Sequence, residues 1–210
     1  IEGGGKNGII AADDITFDYV WARTGKSFEP GAPDAGAEPV FFKRWDARTI
    51  EPTVAKPHSP DNRATARELH DVTLTRAYIG SCTGGKLTDF VSAAQVMRGH
   101  TVAVKTFVVP ATTEISEGLR TEKLEGRTLL SIFEDAGCTI SSDASCAACL
   151  GGPSDTFGRI NGPEVCISTT NRNFPGRMGA KEGQVYLASP YTVAASAIRG
   201  RITDPREFLS

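Results

Sequence analysis

The feature that most constrains this chain is a change of rhythm: from about residue 62 onward, short apolar runs alternate with longer amphipathic ones. Leu74 to Ile79 reads as a strand, Leu87 to Arg98 as a helix, Thr101 to Val109 as a strand, and Arg127 to Ala136 as a helix closed by Gly137. Strands at Val165 to Ser168 and Val185 to Ser189 follow, and a last helix runs from Tyr191 to Ile198 and stops at Gly200. Strand and helix at this spacing build an α/β fold, a three-layer sandwich on a mostly parallel sheet. Ligands of such sheets bind off the carboxyl ends of the strands, so chemistry is expected in the loops after Ile79, Ile140 and Ser168.

The earlier part of the chain has another texture. Asp13 to Arg23 starts with cap-type aspartates and ends before Gly25, as a short helix does, and Thr24 to Ala37 is a Gly/Pro-dense loop. Glu38 to Trp45 has strand composition, whereas Glu51 to Pro60 carries too many prolines for either regular element. The expected division is therefore 1–60, the end of a preceding α/β domain plus a proline-rich crossover, and 61–210, the domain with the functional loops. The first residue is Ile1, without an initiating Met, which reads as part of a longer protein.

Charge narrows the partners. With 23 Lys+Arg against 25 Asp+Glu and no run of one sign, neither nucleic acid nor an acidic membrane surface is favoured. No apolar run approaches the ~20 residues that span a bilayer. A small-molecule ligand is the better expectation. Five cysteines, two of them in a Cys-x-x-Cys, in a chain too large to need disulfide staples point to metal or redox chemistry in a reducing, cytoplasmic compartment.

The loops carry that chemistry. They read Ile79-Gly-Ser-Cys-Thr-Gly-Gly85, Ser145-Cys-Ala-Ala-Cys-Leu-Gly-Gly152 and Thr169-Thr-Asn-Arg-Asn-Phe-Pro-Gly-Arg177. Small residues around the thiols let backbone approach a bulky group. Three thiolates is one short of the four of a closed zinc or electron-transfer iron–sulfur site, and no His stands beside them. An iron left with an open position would be a Lewis acid, able to hold a substrate hydroxyl and a neighbouring carboxylate. The motif by itself also admits a structural zinc or thiol-redox domain.

These residues resemble the iron–sulfur hydro-lyases that comprise aconitase, isopropylmalate isomerase and homoaconitase. Gly80-Ser-Cys-Thr83 looks like that family's first cluster loop, Cys146 to Gly151 its second, and Thr170 to Arg177 its substrate-binding loop. Ser189 to Ala197 resembles the helix that follows, and Glu2-Gly-Gly-Gly-Lys-Asn-Gly8 the glycine-rich segment of an active-site glutamate. Gly84 stands where the family usually has Asn, and Ala147-Ala148 replaces a small residue followed by Pro or Met. The likeness is closest to large subunits of isopropylmalate isomerases. It implies an aconitase-like domain in which Cys82, Cys146 and Cys149 hold a 4Fe–4S cluster with one open iron site. It further implies that Arg172 and Arg177 bind the carboxylates of a hydroxy di- or tricarboxylic acid, that Asn171 hydrogen-bonds near the cluster, and that Glu2 handles a proton of the iron-bound hydroxyl. The expected reaction is dehydration and rehydration, as in 3-isopropylmalate dehydratase of leucine biosynthesis, with homoaconitase or an aconitase-type hydratase as alternatives. The resemblance also implies missing parts: the remaining N-terminal part of the large subunit, and a small swivelling subunit or domain with the catalytic serine. Without them the chain is expected to be inactive. A relative of this fold that has lost its cluster and binds RNA is the remaining alternative, disfavoured by the charge balance. Cys138 and Cys166 sit in apolar strand-like contexts and read as ordinary buried thiols.

Overall fold

The computed structural model describes residues 8–209. Contacts divide the chain into two units, Ile1–Ala47 and Arg48–Ser210. Glu2 lies outside the described residues.

In the first unit, α1 (Asp14–Thr24) forms where the aspartates announce it: Asp13 caps it by accepting from the Thr16 N–H at 2.9 Å, and Gly25 closes it at φ +61°. None of its residues is buried. Residues 38–45 form no strand. Val40, Phe41, Phe42 and Trp45 are exposed, because strand composition becomes a strand only where a neighbouring edge takes up its N–H and C=O groups.

The second unit starts with two edge strands, β1 (Thr53–Ala55) and β2 (Arg63–Thr65), paired antiparallel. Segment 51–60, expected to lie before the functional domain, thus contributes a strand to its sheet. Then come β3 (Arg76–Gly80), the single turn α2 (Ser81–Gly84), α3 (Leu87–Met97) and β4 (Lys105–Val109). Next are α4 (Thr113–Thr121), a ribbon of β5 (Lys123–Leu124) and β6 (Arg127–Thr128), α5 (Leu129–Asp135) and β7 (Thr139–Ile140). The chain ends with β8 (Val165–Ser168), β9 (Gln184–Leu187) and α6 (Pro190–Arg199).

Seven strands lie in the order β2-β1-β9-β8-β3-β4-β7, with β9, β8, β3, β4 and β7 mutually parallel. All five residues of β3 are buried, as a strand covered on both faces requires. One face, through Ala77, Ile79, Val108 and Ile167, packs under the helices with Phe90, Ala94, Phe133 and Val193. The other, through Tyr78, Phe107, Val109 and Cys166, is covered by Ala148, Ile160 and Met178 from the mostly irregular segment 145–183. Helices, sheet and loop layer make up the three layers of the α/β fold. No helix among the described residues is long and apolar enough to cross a membrane.

Candidate functional site

The strand order fixes where a ligand can sit. From β3 the chain moves outward through β4 to β7, then returns to place β8 and β9 on the other side of β3. Neighbouring connections therefore leave β3 and β8 in opposite directions, opening a crevice at their carboxyl ends. Gly80 and Ser168 end there.

The first loop leaves β3 through a sharp turn. Ser81 takes φ +81°, a left-handed conformation uncommon outside glycine, and its buried hydroxyl accepts from the Thr83 N–H at 3.2 Å. This turn leaves Cys82 exposed. It is tied to the third loop by Thr169, whose hydroxyl oxygen accepts from the Gly80 N–H at 2.8 Å and lies 2.9 Å from the carbonyls of both Gly80 and Gly84. A Cβ on Gly84 would stand 2.2 Å from the Thr169 carbonyl oxygen, so only glycine permits the approach.

The second loop hangs from the end of β4, with the Ser145 N–H donating to the Pro110 carbonyl at 3.0 Å. A 3-10 turn over Ala148–Leu150 half-buries Cys146 and buries Cys149. Gly151 then presses its backbone against the third loop, where a Cβ would stand 2.8 Å from the Gly176 carbonyl oxygen. In that third loop Asn173 donates from Nδ2 to the carbonyls of Lys56 at 2.8 Å and Val185 at 3.0 Å, bolting the loop to the sheet. Arg177 lies over the Phe174 ring, 5.6 Å from its centroid, and donates from Nη2 to Cys149 Sγ at 3.6 Å. Its Nε is buried with no hydrogen-bond partner among the described residues.

The structure thus joins Cys149 to Arg177 directly, holds Cys146 in the same turn, and anchors the Cys82 turn to the loop that carries Asn171, Arg172 and Arg177. Asn171 and Arg172 are partly buried. The two other thiols behave as the sequence suggested: burial alone raises Cys138 to about 12, and burial dominates the rise of Cys166 to about 12. Such thiols stay protonated and inert. Thr169 and Tyr78 are functional positions that motif reading missed. The only hint of Thr169 in the sequence is a polar pair placed where a central strand ends.

The donor set fits a polynuclear cluster better than a single ion. Among the described residues no three His, Cys, Asp or Glu side chains gather closely enough to hold one metal ion. A tetrahedral zinc with bonds of ~2.3 Å would need its thiolates ~3.8 Å apart. A cluster distributes its thiolates over different irons and asks for wider spacing. Backbone brought close by Gly84 and Gly151, soft sulfur donors and the Arg177 guanidinium beside Cys149 all suit a bulky, anionic iron–sulfur group.

Comparison with known proteins agrees with this geometry. The sequence model of the aconitase family (aconitate hydratase) matches residues 63–200. Over its whole length the chain is 56% identical to the "3-isopropylmalate dehydratase large subunit, chloroplastic" of Arabidopsis thaliana, covering 42% of that protein. It is 43% identical, again over its whole length, to the "3-isopropylmalate dehydratase large subunit" of Hydrogenobaculum sp., covering 48% of it. Over 99% of its length it is 40% identical to the "Probable methanogen homoaconitase large subunit" of Methanosarcina mazei, covering 51% of that one. The chain spans about half the length of the curated relatives it matches.

Proposed function

The chain belongs to the aconitase family, and from that premise we propose that it is the cluster-bearing part of a hydro-lyase large subunit of the 3-isopropylmalate dehydratase type. The observation that carries this reading is the meeting of the Cys82, Cys146–Cys149 and Asn171–Arg177 loops at the carboxyl ends of the central strands.

Cys82, Cys146 and Cys149 would hold a 4Fe–4S cluster. When bound, that group supplies a Lewis-acidic iron with an open position for the substrate's hydroxyl and adjacent carboxylate. The chain's own residues do the rest. Arg172 and Arg177 hold carboxylates of a hydroxy polycarboxylic acid, for which a planar fork of N–H donors is suited. Arg177 is held for this by its stacking on Phe174 and its contact with Cys149, with Nε unpartnered among the described residues. Asn171 hydrogen-bonds beside the cluster. Glu2 takes and returns the proton of the migrating hydroxyl. The proton on carbon is assigned to a serine of the small subunit, and the rest of the large subunit completes the cavity. Water is thus removed across two adjacent carbons and added back in the opposite sense. The proposed compartment is reducing and cytoplasmic; the name of the Arabidopsis relative places that protein in the chloroplast. A homoaconitase-type substrate is the second reading, favoured by the similarity to the Methanosarcina relative.

Anaerobic reconstitution with iron and sulfide, iron counting and electron paramagnetic resonance test the proposal on the parent and a Cys146→Ser variant. About four irons per chain and ready conversion to a three-iron form, both lost in the variant, are expected. Tight zinc without iron, or a cluster indifferent to Cys146, overturns it.

A further inference from the structure

Tyr78 lies at the middle of the central strand β3, and its side chain is 0% exposed. Its ring packs into the loop-covered face with Ala148, Cys166 and Met178. Two glycines make room for it. A Cβ on Gly80 would stand 3.0 Å from Cε1, and one on Gly158 would stand 2.7 Å from Cε2. That same Gly158 Cβ would touch the Ala148 methyl at 3.7 Å, so the ring sits beneath the turn that joins Cys146 to Cys149.

The phenol hydroxyl in this packed place is buried and has no hydrogen-bond partner among the described residues. A phenylalanine would fill the space without the cost of an unsatisfied donor, so the hydroxyl calls for an explanation. Its neighbourhood holds sulfur: Cys146, Cys149 and Cys166 all lie within electrostatic reach. Cys166 is a poor acceptor, because it stays protonated and turns its S–H to the Ile167 carbonyl at 3.5 Å. The other two are the proposed ligands. A sulfur that binds iron as thiolate carries negative charge and accepts hydrogen bonds well.

We infer that Tyr78 is a positioning residue for the cluster, its O–H donating to sulfur of the Cys146–Cys149 pair and thereby setting how easily the cluster is oxidised. The inference rests on the proposed function and goes beyond it. Hydrogen bonds to cluster sulfurs favour the more reduced, more negative state, so the hydroxyl protects against oxidation. Burial is the main reason that the phenol keeps its proton, which leaves it a donor across the working pH range.

The test compares the parent and Tyr78→Phe in the full-length large subunit assembled with its small subunit, both reconstituted anaerobically. Its readouts are the cluster's midpoint potential, the rate of conversion to the three-iron form under mild oxidant, and exchangeable-proton couplings of the paramagnetic cluster. The variant is expected to load the same iron and melt no lower than the parent. Its oxidised-to-reduced ratio at fixed potential should rise about threefold to tenfold, conversion should accelerate by a similar factor, and one exchangeable-proton coupling should vanish. Equal potentials, rates and couplings in both proteins overturn the role of Tyr78 while leaving the cluster in place. A parent that takes up no cluster overturns this inference and the proposed function together. If the variant takes up no cluster, the parent decides: a strong exchangeable-proton coupling supports the inference, and its absence overturns it.

Discussion

The hydroxyl of Thr169 shows how a site can depend on a residue with no chemistry of its own. It satisfies the Gly80 N–H and lies against two carbonyls of the Cys82 turn, all in a buried place. Thr169→Val keeps the shape but strands the Gly80 N–H, which costs ~1–3 kcal/mol and should lower the melting temperature and loosen cluster retention together. Gly84→Ala attacks the same junction through volume, and overpacking against Thr169 should cost about 1–3 kcal/mol. Gly162→Ala, where a Cβ meets nothing within 4 Å, is the control and should melt like the parent. Equal melting of all three would show that the junction is soft. Arg177→Lys keeps the charge but loses the fork of donors, so KM in the assembled enzyme should rise roughly 10- to 100-fold while thermal stability changes little. The cysteines and arginines were legible in the sequence because their chemistry is rare and their spacing is informative. Thr169 and Tyr78 were not, since threonine and tyrosine are ordinary strand residues whose roles appear only when strands are placed side by side.

Elements were legible to the extent that their ends are marked. Helix α6 has Ser189 accepting from the Thr192 N–H, Pro190 in its first turn and Gly200 at φ +71° after it, and it forms where expected. Helix α4 was missed: it is short and mostly polar, contains Gly118, and buries only Leu119. The expected helix from Arg127 starts two residues late because Arg127 and Thr128 pair with Leu124 and Lys123. Strands β1 and β2, three residues each amid prolines, carry too little pattern to announce themselves. The chain's last turn yields a pH prediction. Asp204 caps it and accepts from the side chains of Arg206 and Arg67, chiefly Arg206, which lowers its pKa from 3.8 to about 2. A carboxylate with a depressed folded pKa stabilises fully above about pH 4, and that contribution disappears as pH falls from there through 2. Acid titration of the melting temperature should therefore steepen between pH 4 and 2 by the equivalent of roughly 1–2 kcal/mol. Asp204→Asn should flatten that limb; an unchanged limb would assign acid unfolding to other carboxylates.

At the scale of the whole molecule, a mostly parallel sheet gathers residues 80–85, 145–152 and 169–177 at one end although the chain separates them widely. The α/β class was legible because parallel strands buried on both faces read as continuous apolar runs. The order of the strands was not, because the edge pairing of β1 with β9 rests on Ala55 and Leu187 alone. Every buried hydrophobic residue among the described ones lies at Val54 or beyond, so the sheet unit has its own core. A chain starting at Arg48 should therefore still unfold in one cooperative calorimetric transition. It also keeps Cys82, Cys146, Cys149, Arg172 and Arg177 while losing Glu2. If the division of labour is as proposed, the shortened chain reconstitutes the same cluster spectrum as the parent. Combined with the missing half of the large subunit and the small subunit, it should still fail to move the hydroxyl, since no group remains to carry its proton. Full turnover by the shortened chain would remove Glu2 from the mechanism; loss of the spectrum would show that residues 1–47 help build the site.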